Sequence, residues 1–205
     1  MQATTHLFPI SGYSFGTKEA QVDEDQSVAA RQARHQAEYA LTGMRKTVEA
    51  VLLVHDHGHP HVLMLQVANT FFKLPGDVLR PGEDELTGLN RALTEKLAPP
   101  LNPNDLNSTA TEAVDWEVAE LLATWWRPHF DSYMYPYIPP HITKPKEEKK
   151  MFLIQLPEKR LLSVPKNLKL VAIPLFELHE NAARYGPQLS TLPNLLGRFN
   201  FVVAE

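Results

Sequence analysis

A chain of 205 residues, 43% of them hydrophobic, is long and apolar enough for one domain with a real core, and too apolar for a disordered polymer. It contains no cysteine, which excludes disulfides, thiolate zinc sites and cysteine nucleophiles together. Its formal charge of −4 argues against a blanket phosphate-binding surface, which needs many Lys and Arg, but leaves room for a small local nucleic-acid site.

The first residues, MQATTHLFPISGYSFG, lack a basic segment followed by an apolar run, so no secretory leader is expected. No apolar run approaches the ~20 residues of a membrane-spanning helix. Residues 6–22 mix turn residues with scattered aromatics and read as an extended arm or loop. Asp25 or Ser27 can cap a helix through VAARQARHQAEYAL, which Gly43 would end. TVEAVLLVHD and HVLMLQVA flank the turn-rich HDHGHP and read as a hairpin or adjacent strands, with TFFKL as a short third run. Leu86, Leu89, Leu93 and Leu97 recur at three- and four-residue steps, which predicts an amphipathic helix with these leucines in the core. LAPPLNPNDLNST is a proline-broken loop. TEAVDWEVAELLATWW reads as helix or mixed structure, and RPHFDSYMYPYIPPHITKPKEEKK, with five prolines, as irregular. KMFLIQL and LKLVAIPLFEL are strand-like, and YGPQLSTLPNLLGRF predicts a C-terminal helix started or interrupted near Pro193. No repeat appears. We take 1–43 as an N-terminal arm and helix and 44–205 as the main domain, the two forming one compact unit. Strands on both sides of the leucine helix predict an α/β sandwich with a mixed sheet.

The stretch LPGDVLRPGEDELTGLNRALTEKL, Leu74 to Leu97, resembles the Nudix box, G-x5-E-x7-R-E-U-x-E-E-x-G-U. Glu83 and Arg91 set the register, Leu93 fills the apolar position and Glu95 one acidic position. The rest departs: Asp77 stands for Gly, Ala92 for the first Glu after the Arg, Lys96 for the last Glu and Ala98 for the second Gly. Gly76 preserves the turn before the helix. Positions 92 and 96 lie one helical turn apart, with 95 alongside. Carboxylates there would hold Mg²⁺, which needs hard oxygen ligands, against a pyrophosphate. Ala, Glu and Lys in place of three carboxylates change the local charge from −3 to 0. A lysine ammonium repels a cation by roughly 4 kcal/mol per unit charge at 4 Å and an effective dielectric of ~20. Hydrolysis by the usual route is therefore not expected. An unconventional hydrolase using Glu95, Asp77 or Glu83 is the competing reading. Asp77 otherwise reads as a solvated turn carboxylate, and Glu83 with Arg91 as a structural pair fixing the loop to the helix.

Other clusters read more plainly. His55, His57, His59 and His61 alternate, but a turn falls inside the run, so a polar hairpin tip is expected rather than a metal site. Lys144, Lys146, Lys149 and Lys150 are diluted by Glu147 and Glu148 and read as a solvated loop. WWRPHF and YMYPYIPP suit core and partner contacts, with base stacking as the alternative. No G-x-S-x-G elbow is present.

Beyond the box, long peptides spread from about Leu7 to Val202 resemble the small Nudix-type subunit family of metazoan pre-mRNA cleavage factor I. They include YSFGTKE, SVAAR, GMRKTVEAVLLVH, TFFKLPG, YPYIPPHITKPKEEKK, VPKNLKLVAIPLFEL and LPNLLGRFNF. The resemblance implies a nuclear, non-enzymatic Nudix fold without cofactor or metal, binding a UGUA element in single-stranded pre-mRNA chiefly through the bases. It also implies a homodimer and a larger partner subunit carrying an RNA-recognition domain. The family's RNA contacts carry over onto Asp23, Arg31, Glu49, Thr70, Phe71, Phe72, Leu74, Tyr185 and Gly186. Asp23 departs from the family's Glu and is one methylene shorter. Phe71 and Phe72 adjoin on a strand, so one should face inward, and stacking is assigned to Phe71. An assembly subunit whose partner makes all RNA contacts remains the further alternative.

Overall fold

The computed structural model describes residues 3–21, 25, 27–100 and 115–204. In chain order its elements are β1 (Thr4–Leu7), a 3-10 turn (Ile10–Gly12), β2 (Tyr13–Lys18), α1 (Val28–Thr42), β3 (Arg45–Asp56), β4 (His59–Val67), β5 (Phe71–Lys73), β6 (Gly76–Val78) and α2 (Glu85–Leu97). There follow β7 (Glu117–Arg127), β8 (Glu147–Gln155), β9 (Arg160–Pro165), β10 (Leu168–Pro174), α3 (Leu175–Leu178), α4 (Ala182–Tyr185), α5 (Pro187–Ser190), α6 (Leu192–Leu196) and β11 (Asn200–Val203).

The central sheet runs β10-β4-β3-β8-β7, with β5 on β4 and β6 on β3. It is mixed: β3 and β8 are parallel, while β3–β4, β7–β8 and β10–β4 are antiparallel. A strand covered on both faces needs apolar residues at every position, which is why AVLLV in β3 is a continuous run. Val48, Ala50, Leu52 and Val54 pack on one face with Leu89, Leu93 and Leu97 of α2. Val51 and Leu53 pack on the other with Leu178, Tyr185, Leu189, Leu192 and Leu196 of the C-terminal helices. The result is the expected α/β/α sandwich.

Several local expectations change. Leu86 is 47% exposed, because it sits in the first turn of α2, before the helix reaches the sheet; the other three leucines are buried. The 117–127 segment is a strand rather than a helix. Its pairing with β8 carries two register shifts, and these disrupt the alternation that would have marked it. The arm is not loose: β1 pairs in parallel with β11, and β2 with β9. Parallel partners so distant in sequence leave no local signal. The C-terminal helix is several one-turn pieces, with Pro187 and Pro193 each opening a piece and Gly186 at φ 85° between α4 and α5. LKLVAIPLFEL is strand only as far as Pro174, where α3 begins. Ser27 is the α1 cap, its side chain accepting from Ala30 N at 3.1 Å, while Asp25 binds Arg34.

Candidate nucleic-acid interface and the altered Nudix helix

α2 starts at Asp84, whose Oδ2 accepts from the backbone N–H groups of Leu86 and Thr87 at 3.1 and 3.3 Å. The loop before it is tied down by Arg91. Its Nε and Nη2 donate to the two Glu83 oxygens at 2.7 and 2.8 Å, and Nη2 also donates to Val78 O at 3.0 Å. Glu83 Oε2 accepts from Arg80 N at 2.8 Å as well. The Arg91 hydrogen bond is the main reason the Glu83 pKa is held down to about 2, against an ordinary 4.5. Glu83 and Arg91 thus form the structural pair read from the sequence. Gly88, which sequence reasoning missed, makes this possible: a Cβ there would lie 2.1 Å from Leu79 Cδ2 and 3.0 Å from Glu83 Oε2. At Gly76 a Cβ would lie 2.1 Å from Val48 O, so the turn that opens β6 against β3 requires glycine.

The remaining box positions form a different kind of site. Ala92 is buried in the α2 core. The Glu95 carboxylate is held by Arg91 Nη1 and Arg80 Nη2, each at 3.2 Å. Lys96 is largely buried; its Nζ donates to Gln21 Oε1 at 2.8 Å and lies 3.9 Å from Asp77 Oδ2. Asp77 is therefore not a free solvated carboxylate: it faces Lys96 and accepts from Val78 N at 2.7 Å. Lys18, from β2, donates to the carbonyls of Glu95 and Ala98 at 2.7 and 2.9 Å and caps the C-terminal end of α2. Burial first, and then Lys96, lowers the Lys18 pKa. A methyl group, an arginine-bound carboxylate and an ammonium do not make the oxygen-rich shell that Mg²⁺ requires. Lys18 and Gln21 gave no signal in sequence because they arrive from the N-terminal arm.

The residues that the resemblance assigns to RNA fall into three groups. Phe72, Leu74 and Tyr185 pack in one core cluster, the Phe72 and Tyr185 ring centroids 4.9 Å apart. Tyr185 OH donates to Glu177, and burial raises the Tyr185 pKa to about 12. Gly186 follows directly. Glu49 lies on the same sheet face as Val51 and pairs with Lys149 at 2.7 Å, and Lys149 reaches Gln188 of α5 at 3.4 Å. Thr70 and Phe71 form the turn end of β5. Phe71 is 62% exposed and Phe72 9%, the split expected of strand neighbours. Arg31 is exposed on α1, and none of the described contacts links it to the other groups. Asp23 lies outside the described residues.

No residue of α1 is buried. The helix is held through its second half: Arg45 touches His35 and lies 3.5 Å from Glu38, and the Lys146 ammonium sits 4.2 Å from the Tyr39 ring centroid and 5.5 Å from that of Phe130. Lys146, Lys149 and Lys150 are thus engaged side chains rather than a solvated run. At the histidine tip His57 and His59 are exposed while His61 is buried. In YMYPYIPP, Tyr133, Tyr135 and Tyr137 are exposed and Met134 is core.

A family model of the Nudix type, described as nucleotide hydrolase, matches residues 3–199. The chain is 53% identical over 201 residues to pre-mRNA cleavage factor Im 25 kDa subunit 2 of Arabidopsis thaliana, covering 98% of this chain and 96% of that one. It is 47% identical to subunit 1 of the same plant, over 97% and 86% of the two chains. It is 46% identical to cleavage and polyadenylation specificity factor subunit 5 of Dictyostelium discoideum, over 94% and 92%. The chain is a Nudix-fold protein, and within that class it belongs to the family of pre-mRNA cleavage factor Im 25 kDa subunits. A plant and an amoeba among these relatives extend the family beyond the metazoan proteins that the sequence peptides suggested.

The Glu83 carboxyl, held down to about 2 when folded, contributes stability that is complete above its ordinary 4.5 and is lost as the pH falls through about 2. Glu83→Gln should therefore be less stable than the unaltered chain near neutral pH, and the difference should narrow as the pH falls from about 4.5 to about 2. Denaturant midpoints measured along that interval check this, and a constant gap would exclude the ion pair as the cause.

Proposed function

We propose that this chain is a nuclear, catalytically silent Nudix subunit that binds UGUA-containing single-stranded RNA in pre-mRNA 3′-end processing. The observation that carries the reading is Phe71, an exposed ring beside a buried aromatic cluster, in a chain whose near-full-length relatives are named as pre-mRNA cleavage factor subunits. An exposed ring offers a face to an unstacked base, which a net charge of −4 does not discourage. Arg31 and Glu49 supply a donor and an acceptor for base edges, and Asp23 takes the place of the family's Glu. Phe72, Leu74 and the Tyr185 ring belong to the buried cluster into which the strand neighbour of Phe71 points, while Phe71 itself faces away from it. Thr70 and the backbone at Tyr185–Gly186 supply further polar groups in this reading: glycine, without a Cβ, lets a ligand approach the chain closely.

Phe71→Ala should weaken binding of a UGUA oligonucleotide by about five- to a hundredfold, since a stacked ring contributes about 1–3 kcal/mol per base. Arg31→Ala should weaken it and reduce discrimination against changed bases. Affinity should fall with salt at a slope of only about one to two. Fluorescence anisotropy across a salt series, with a base-scrambled control, measures all three. Equal binding of the scrambled RNA, or a silent Phe71→Ala, would sink the reading.

The chain carries out no Mg²⁺-dependent hydrolysis in this proposal, because Lys96 brings an ammonium where the box has a carboxylate and Glu95 is held by two arginines. Incubation with nucleoside diphosphate derivatives and excess Mg²⁺ or Mn²⁺ should give no turnover above blank. Turnover abolished by Glu95→Gln would reverse the conclusion.

The chain also works as a homodimer docked to a larger subunit with an RNA-recognition domain, for which the exposed Tyr133, Tyr135 and Tyr137 offer an apolar surface. Light scattering at micromolar concentration should give twice the 23.2 kDa chain mass. A strict monomer would count against it.

A further inference from the structure

A cleft of about 750 Å³ opens between α1, the start of β3 and the loop of residues 77–83, within the size range of ligand sites. Six cationic side chains and four carboxylates line it, an excess of positive charge on a chain whose total is −4. Two of those carboxylates are already answered from outside the cleft, Glu83 by Arg91 and Asp77 by Lys96. Glu38 and Glu147 are left to face Arg34, Arg45 and Arg127, with which they pair. Lys46, Arg80 and Lys146 are in excess; the Arg80 guanidinium's ion pair with Glu95 is between solvent-exposed side chains and weak. Arg45 Nε, buried in the wall, has no acceptor among the described residues.

Position adds to charge. Arg34 lies three residues beyond Arg31 on the same side of α1, and it lines the cleft. Thr47 and Arg45 follow Glu49 on one face of β3 at steps of about 6.6 Å, and Arg45 lines the cleft too. Two of the elements that carry candidate RNA contacts, α1 with Arg31 and β3 with Glu49, therefore run into its walls. Its two aromatic rings, Tyr39 and Phe130, are occupied by the Lys146 ammonium and by each other, so they offer little face to a base.

We propose that this cleft takes the phosphodiester backbone of the RNA flanking the UGUA element, reading its charge and not its bases. The inference rests on the RNA reading above. Anisotropy titrations should compare bare UGUA with UGUA extended by three nucleotides on the 5′ or the 3′ side, and with the same extensions made of abasic ribose phosphates. One extension should raise affinity, its abasic form should keep the gain, and the salt slope should steepen by about 0.7 for each phosphate engaged. Lys46→Ala with Arg80→Ala should remove the gain and the added slope while leaving bare UGUA binding unchanged. Lys159→Ala with Lys166→Ala, an equal loss of charge at exposed lysines that do not line the cleft, should keep both. No gain from either extension, a gain that needs bases, or equal effects of the two double variants would overturn the inference. Failure of bare UGUA to bind better than its scrambled form would instead overturn the RNA reading itself.

Discussion

The bidentate contact between Arg91 and Glu83 is the constraint on which the functional half of the molecule depends. One guanidinium joins α2 to the loop at both Glu83 and Val78 O, and Glu83 in turn holds Arg80 N. Because β6 pairs with β3 immediately before that loop, fixing the loop also fixes the edge of the central strand. The pair is mostly shielded from solvent, so it is of the kind whose loss leaves an uncompensated charge rather than merely a missing contact. Gly76 and Gly88 are the steric conditions for it: one lets the loop approach β3, the other lets it approach α2.

With the loop held in that position, the chemistry of the face that carries the altered box positions follows from two lysines. A hydrolase of this class sets several carboxylates against mobile cations. Here the cations are covalent parts of the chain, Lys96 between Gln21 and Asp77 and Lys18 on the α2 carbonyls. An ammonium in this setting satisfies acceptors and joins the arm to the helix, but it cannot polarise a phosphoryl oxygen as a divalent ion does. At these box positions the lysines serve structural contacts between the arm, the loop and α2.

The opposite sheet face shows a different division of labour. Buried rings and aliphatic side chains around Tyr185 form one core cluster, and Phe71 stands outside it. α1 contributes no buried residue and is positioned by cation–π and arginine contacts at its second half. The exposed Phe71 ring beside β5 is thereby apart from the cations around α1, whose own neighbouring rings, Tyr39 and Phe130, are taken up by Lys146 and by each other.

Period alone carried three of the four leucines of the α2 stripe and the apolar run of β3, and the resemblance to the Nudix box carried the Glu83–Arg91 pair and the altered acidic positions, because each depends on residues close together in the chain. The peptide resemblance carried the family. What local pattern could not carry was every feature made by distant segments. The β1–β11 and β2–β9 pairings bring the arm into the fold, and register shifts hide β7 from any test of alternation. Lys18 and Gln21 meet α2 only after β2 has paired with β9. The cleft under α1 collects its walls from four separate stretches of chain. Sequence by itself determined which side chains were present and which faces had to be buried, since hydrophobic periodicity is a local property. Only the tertiary structure decided which charges from distant segments meet, because an ion pair depends on distance in space, and residues far apart in the chain carry no record of that distance.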